Sequence, residues 1–570
     1  MSSFPPGLIL IIGALLLPWL PRSVRPYFAL VLPLVGFIQL LFIADGTHGL
    51  ITLAGHELAL VRVDGLSRVF GYIFYIAAFL GCLYALHVRD ITQQVAALLY
   101  VGSAIGAVFA GDLITLFVCW EMTALSSVFL IWATPTERAY RAGMRYLIVQ
   151  VGSGVLLLAG ILFHYHDTGS LAFDRLIGAS GLLAEASLGV TLILAAFAVK
   201  CAFPLLHNWL QDAYPQATVT GTVFLSAFTT KLAVYALARG FPGTELLIGI
   251  GVVMTLFPIF FAVIENDLRK VLAYSLNNQL GFMVVGIGVG TQLALNGAVA
   301  HAFVHIIYKA LLFMSMGAVL YRTGTIRASD LGGLYRSMPW TAAFCIVGAL
   351  SISAFPLFSG FVAKSLTLSA VVEGHYVLVW LGLLVASAGV MEHSGIKVPY
   401  FAFFGHDSGV RCKEAPRHML LAMGAAAVLC IGIGVYPTPL YAILPYPVTY
   451  QPYADLGHSL TQFQLLLFAA LAFVVLMRSG LYPTEQRAIN LDTDWFYRHL
   501  APRVVNYVAH QLIGANAAFN RMSKRFSRVI IHSVWKHYGP HGTLARTWPT
   551  GSMVLWVAIL LAASLLLYFA

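Results

Sequence analysis

Apolar runs follow one another along almost the whole of this 570-residue chain, most of them close to the length of a bilayer crossing. About 20 apolar residues cover the hydrocarbon core as a helix. In lipid, only a structure that pairs its backbone polar groups internally is stable. Charged residues are 10% of the chain, against about 25% in ordinary globular domains, so too few are present to wet a soluble surface. Reading the runs against turn and charge signals places helices near 7–20, 27–44, 68–87, 95–110, 112–132, 143–165, 185–206 and 216–239. Others follow near 244–265, 271–289, 294–320, 338–371, 376–403, 416–436, 461–478 and 551–569. The expected fold is an all-α polytopic membrane protein of about sixteen transmembrane helices. The 338–371 run is too long for one straight span.

A net charge of +10 would draw a soluble chain to nucleic acid; here it marks orientation, and no nucleic-acid partner is expected. Loops after odd-numbered helices collect about 25 of the 33 basic residues, among them Arg138, Arg141, Arg145, Arg269, Lys270 and Lys397. The opposite loops hold Arg62, Arg68, Arg175 and Arg239. The positive-inside bias places the odd loops in the cytoplasm and both termini outside, in a bacterial inner membrane. The first run, Gly7–Leu20, has no basic residue before it and does not read as a cleaved signal peptide. Five of the six cysteines lie inside apolar runs, with no CxxC or Cys/His cluster, so neither a metal nor a redox cofactor is expected.

Subtraction leaves four basic residues within the membrane: Lys200, Lys231, Lys309 and Lys364. A lysine at a helix centre costs about 2.5–3.5 kcal/mol even on the lenient insertion scale. Glu121 and Glu392 are the scarce acidic company. His301 and His305 are four apart and share a helix face with Lys309. One reading makes these residues structural ion pairs or snorkelling side chains. The other makes them a proton relay, since burial brings amines and carboxylates towards the range where protons exchange, and neighbouring histidines can hand protons on.

Ala202-Phe203-Pro204-Leu205 follows Lys200, and Ala354-Phe355-Pro356-Leu357 recurs about 150 residues later, shortly before Lys364. Proline inside a span breaks the helix. Paired breaks in two halves of a chain point to inverted repeats around an ion site. Five helices separate the two breaks, an odd number, so the second copy is inserted upside down.

Several segments resemble a known family. Gly111-Asp112-Leu113 leads into Phe117-Val118-Cys119-Trp120-Glu121, and Val199-Lys200 precedes Phe203-Pro204 and His207-Asn208-Trp209-Leu210. Thr230-Lys231-Leu232-Ala233-Val234-Tyr235, Asp267 to Ser275, His305 to Phe313 and Ser359 to Lys364 continue the series. In that order they resemble the antiporter-like subunits of respiratory complex I and of Mrp cation/proton antiporters, the Mrp D-type subunit looking closest. The resemblance implies two inverted five-helix repeats, helices 4–8 and 9–13, with helices 7 and 12 broken and a hydrated polar axis at the membrane midplane. It implies a relay of Glu121, Lys200, Lys231, His301, His305 and Lys364, with Glu121 pairing with Lys200. Lys309, His207 and Glu392 are secondary candidates.

The corresponding divisions are 1–94, 95–240 (first repeat), 241–404 (second repeat), 405–480 and 481–570. Two departures stand out. The linker Ala213-Tyr214-Pro215-Gln216-Ala217-Thr218-Val219-Thr220 lacks the family's proline-rich segment, and the chain runs on past fourteen helices. Between the last two spans, Phe496, Leu500, Val504, Val508, Phe519, Met522, Phe526 and Ile530 form an apolar stripe opposite Arg503, Arg521, Lys524, Arg525 and Arg528. This reads as an amphipathic lateral helix on the cytoplasmic face. The function expected is that of a proton-translocating, antiporter-like subunit of a multisubunit membrane complex, exchanging Na+ for protons, with other membrane subunits as partners. The rivals are a proton channel energising inorganic carbon uptake and a non-conducting scaffold. A redox enzyme in its own right lacks a ligand set.

Overall fold

The computed structural model describes residues 4–53, 55–178, 180–483, 485–487, 490–546 and 549–569. Helix forms at each of the apolar runs. Eleven helices among the described residues are long and apolar enough to cross a membrane, and Leu8–Trp19, Arg25–Leu41, Leu188–Lys200 and Pro339–Ile352 are shorter apolar helices. Local chemistry sets many of the ends. Asp64, Asp112, Thr136, Ser187, Asp267 and Thr291 cap helix starts with their side-chain oxygens, satisfying backbone N–H groups that have no partner in the first turn. Gly290 closes Leu268–Val289 at φ +72°, and a Cβ there would lie 2.4 Å from Gly243 Cα. Only glycine fits this close approach.

The 338–371 run is two helices, Pro339–Ile352 and Ser359–Glu373. The chain is also not purely helical. Gly46–Leu53 and His56–Val63 pair as an antiparallel hairpin. Its second strand turns Leu58, Val61 and Val63 into the core, while Gly111 N donates to Ala59 O at 3.0 Å. The run is too short to span, and a hairpin pairs the backbone there, as any buried segment requires.

Burial grades the helices. The Gly221–Gly240 stretch is 100% buried over its apolar window and Gln292–Thr323 is 94% buried, against 17% for Leu456–Ser479. The two helical segments that carry Lys231, His301, His305 and Lys309 are thus at the centre of the bundle. The chain divides into two compact units, Met1–Asn490 and Leu491–Ala570. The second contains a 38-residue helix, Ala501–Tyr538, and a 20-residue apolar helix, Thr550–Phe569.

Candidate functional site

The two Ala-Phe-Pro-Leu motifs adopt the same backbone. Ala202 and Leu205 have φ of 59° and 71°, and Ala354 and Leu357 have 58° and 73°. Phe203 N donates to Ala198 O at 3.1 Å, and Phe355 N to Leu350 O at 3.0 Å, the six-to-one closure of a Schellman turn. Left-handed backbone at a residue other than glycine costs roughly 1–2 kcal/mol, so each motif holds two strained residues around a helix break.

The lysines use carbonyl oxygens around such interruptions. Lys364 Nζ donates to Ile352 O at 2.9 Å, the last residue of the helix before the second break, and lies 4.8 Å from the Phe282 ring centre. Lys231 Nζ donates to Ser226 O at 2.6 Å and Thr230 Oγ1 at 3.2 Å, where its own span is interrupted between Gly221–Ala227 and Thr229–Gly240. No proline marks that break in the sequence. Lys200 Nζ donates to Trp120 O at 3.0 Å and Thr123 Oγ1 at 2.8 Å, 4.2 Å from the Trp120 ring centre.

Glu121 and Lys200 do not make the expected contact pair. Among the described residues no carboxylate oxygen lies within 4.0 Å of Lys200 Nζ, and Glu121 Oε1 has no hydrogen-bond partner. Lys200 Nζ instead sits on the carbonyl of Trp120, the residue next to Glu121. What holds the Glu121 carboxyl where it lies is Gly154, whose missing side chain leaves it room.

His301 Nε2 is 2.9 Å from Tyr308 Oη and 3.2 Å from Gln279 Oε1, and Tyr308 Oη donates to that same oxygen at 3.1 Å. The His301 and His305 rings stand 6.2 Å apart. Among the described residues, both His305 nitrogens and Lys309 Nζ are buried with no hydrogen-bond partner. Lys200, Lys231, His301, His305, Lys309 and Lys364 are each no more than 1% exposed. His207 is buried against Phe257, ring centres 4.5 Å apart. Glu392 lies in a π-helical stretch, Met391–Ile396.

The charge count sets Lys397 in a cytoplasmic loop although it falls within the expected 376–403 helix, and the structure keeps it in the helix. It lies in the helical stretch Val377–Phe404 with a fully buried side chain. Nζ is 2.9 Å from Glu485 Oε1 and donates to Val263 O at 2.5 Å and Glu265 O at 2.8 Å. Burial raises the proton affinity of the Glu485 carboxyl, and Lys397 works against that. Arg269 is also buried, donating to Pro215 O and Ala217 O at 3.0 Å each, and so ties down the linker that lacks the family's proline-rich segment. His393, Ser394 and Ser275 form a further buried string, with His393 Nδ1 2.9 Å from Ser394 Oγ, which donates to Ser275 Oγ at 2.8 Å. The polar run Glu392-His393-Ser394 inside an apolar stretch was the available signal. Among the described residues no group of three or more His, Cys, Asp or Glu side chains is placed to hold a metal.

Residues 110–389 match the family described as NADH:quinone oxidoreductase/Mrp antiporter, TM. The D-type Na(+)/H(+) antiporter subunit of Alkalihalophilus pseudofirmus is 32% identical over 352 residues, covering 59% of this chain and 71% of that relative. The A-type Na(+)/H(+) antiporter subunit of the same organism is 29% identical over 494 residues, covering 76% of this chain and 61% of its own length. Among solved structures, one protein of the Mrp complex from Dietzia sp. superposes with a TM-score of 0.70 at 21% identity, covering 81% of this chain and 98% of that one. That likeness establishes a shared fold. Matching motifs, fold and family together, the chain belongs to the NADH:quinone oxidoreductase/Mrp antiporter family of multi-pass membrane proteins.

Proposed function

We propose that this chain is a proton-translocating subunit of a multisubunit membrane complex, exchanging a monovalent cation, Na+, for protons along Glu121, Lys200, Lys231, His301, His305, Lys309 and Lys364. The observation that carries the reading is the burial of six of these side chains to 1% exposure or less. At about 2.5–3.5 kcal/mol for each central lysine, replacing them by leucine would stabilise a chain with no use for them, which argues against a scaffold. Among the described residues Lys309 Nζ and the His305 nitrogens have no hydrogen-bond partner fixing one protonation state, the condition a relay needs. The matched backbone of the two breaks supports inverted repeats, helices 4–8 and 9–13, each presenting one break to the polar axis. Moving Lys397 out of the loops leaves 24 basic residues on the odd side (25 − 1) against four. That bias supports both termini on the outer side of an inner membrane.

Acid-induced fluorescence quenching in everted vesicles tests the reading. Glu121→Gln and Lys200→Met are each expected to abolish pH-gradient activity while the protein still inserts. Wild-type activity in both variants refutes the relay.

A further inference from the structure

A relay that ends at Lys364 needs a way to one membrane surface. The polar groups around the second break lead to the helix Leu456–Ser479. Lys364 Nζ donates to Ile352 O, and Gln462 Nε2 reaches the next carbonyl, Ser353 O, at 3.5 Å. One residue along from Lys364, Ser365 Oγ gives its hydrogen to Phe361 O at 2.7 Å and lies 3.0 Å from His458 Nε2. With its only hydrogen committed, Ser365 accepts from His458 Nε2–H, which leaves Nδ1 as the basic nitrogen. The His458 ring stacks on Phe361, centres 5.7 Å apart at 24°.

His458 and Gln462 are four residues apart, on one face of their helix. Both line a cavity of about 370 Å³ whose wall also holds Glu373, Trp380, Tyr450 and Asp455. Gln462 is 2% exposed and, among the described residues, its Oε1 has no hydrogen-bond partner. Glu373 and Asp455, by contrast, are exposed. The cavity thus runs from surface carboxylates to a buried amide that shares adjoining carbonyls with Lys364. The inner end is polar and under-satisfied, the outer end is acidic, and an imidazole stands between.

We propose that His458 is a proton carrier linking Lys364 to the surface through this cavity, making it the mouth of the relay. This inference rests on the relay reading above. A proton leaving Lys364 is taken up at His458 Nδ1, forming an imidazolium held by Ser365. It is then released to the Asp455 or Glu373 carboxylate, regenerating the neutral ring, so each step breaks one N–H bond and forms an N–H on His458 and then an O–H on the carboxylate. The charged and titratable groups around the ring are Lys364, Glu373, Tyr450, Tyr453 and Asp455.

The test uses the full chain in everted vesicles, with insertion checked by immunoblot. His458→Gln retains a hydrogen-bonding group but cannot titrate, and His458→Ala opens space for added imidazole. With Lys364→Met inactive, both His458 variants are expected to lose at least tenfold in rate, and imidazole to restore part of the rate of His458→Ala. A full rate in His458→Gln overturns the proposal, whatever the alanine variant does. A loss in both variants that imidazole leaves unchanged also overturns it, and makes the ring a packing element on Phe361. Normal transport by Lys364→Met is a separate result: it removes the relay reading, and the proposed mouth falls with it.

Discussion

Gly154→Ala isolates the position of the Glu121 carboxyl from its chemistry. A Cβ at residue 154 would lie 1.4 Å from Glu121 Oε1 and 2.4 Å from Cδ. Ordinary contact begins at 3.4 Å, so the oxygen must retreat by about 2 Å (3.4 − 1.4). The obstacle is the end of a flexible side chain, so rotation suffices, at about 0.5–1.5 kcal/mol if it leaves a rotamer well. Residue 154 lies inside the helix Glu137–Thr168, where alanine is favoured over glycine by about 1 kcal/mol. The variant should therefore fold about as well as the parent. At an effective dielectric of about 20, opposite charges a few ångströms apart lose on the order of 1 kcal/mol when a further 2 Å separates them. Together the two effects amount to about 1.5–2.5 kcal/mol, a factor of roughly 10–70. The expected outcome is a roughly 10- to 70-fold loss of initial rate in the vesicle assay, with unchanged insertion and a little-changed melting temperature in detergent. Gly152→Ala, on the same helix and facing open space, serves as the control and should transport normally. A Gly154→Ala protein as fast as the parent would show that transport does not depend on where that carboxyl sits.

Lys364→Arg keeps the charge on a side chain that holds its proton at any physiological pH, so transport in vesicles should fall severely while the complex still assembles. Asp64→Asn strands Arg239, which is 6% exposed and 2.8 Å from Asp64; a loss of about 3–5 kcal/mol should appear as a lower melting temperature in detergent. His87 is pushed down to about 4 by burial and by His418, 3.0 Å away. Its stabilising contribution is therefore complete above pH 6.5 and lost as the pH falls from there through 4, a slope in thermal stability that His87→Phe should flatten. Removing the residues after about Arg487 should leave an inserted core that no longer co-purifies with other membrane subunits; an intact large complex on blue-native gels would leave the amphipathic helix resting on lipid alone.

Much of this protein is legible along the chain because its two governing constraints are local. Hydropathy places the helices, since any apolar run of the right length meets the same lipid. The Ala-Phe-Pro-Leu motifs mark both breaks, since proline removes its own hydrogen bond wherever it stands. Lys200, Lys231, Lys309 and Lys364 stand out for the same reason: a charge far from any loop needs no partner to be noticed. The residues that were missed are those whose surroundings come from elsewhere in the chain. Lys397, near the end of the 376–403 run, is counted with the loop, and only the packing of Val263, Glu265 and Glu485 around it shows that it is buried.

Chain order alone therefore determined the membrane class, the helical segments and the lysines buried at Lys200, Lys231, Lys309 and Lys364. Tertiary packing decided which of those groups meet. It set Glu121 over Gly154 and beyond contact with Lys200, and it brought His458 to Ser365, 93 residues away. The physical reason is that helical periodicity fixes only the direction in which a side chain leaves its own helix. What it meets depends on how the helices pack and at what depth, and those are set by side-chain interdigitation across the whole bundle.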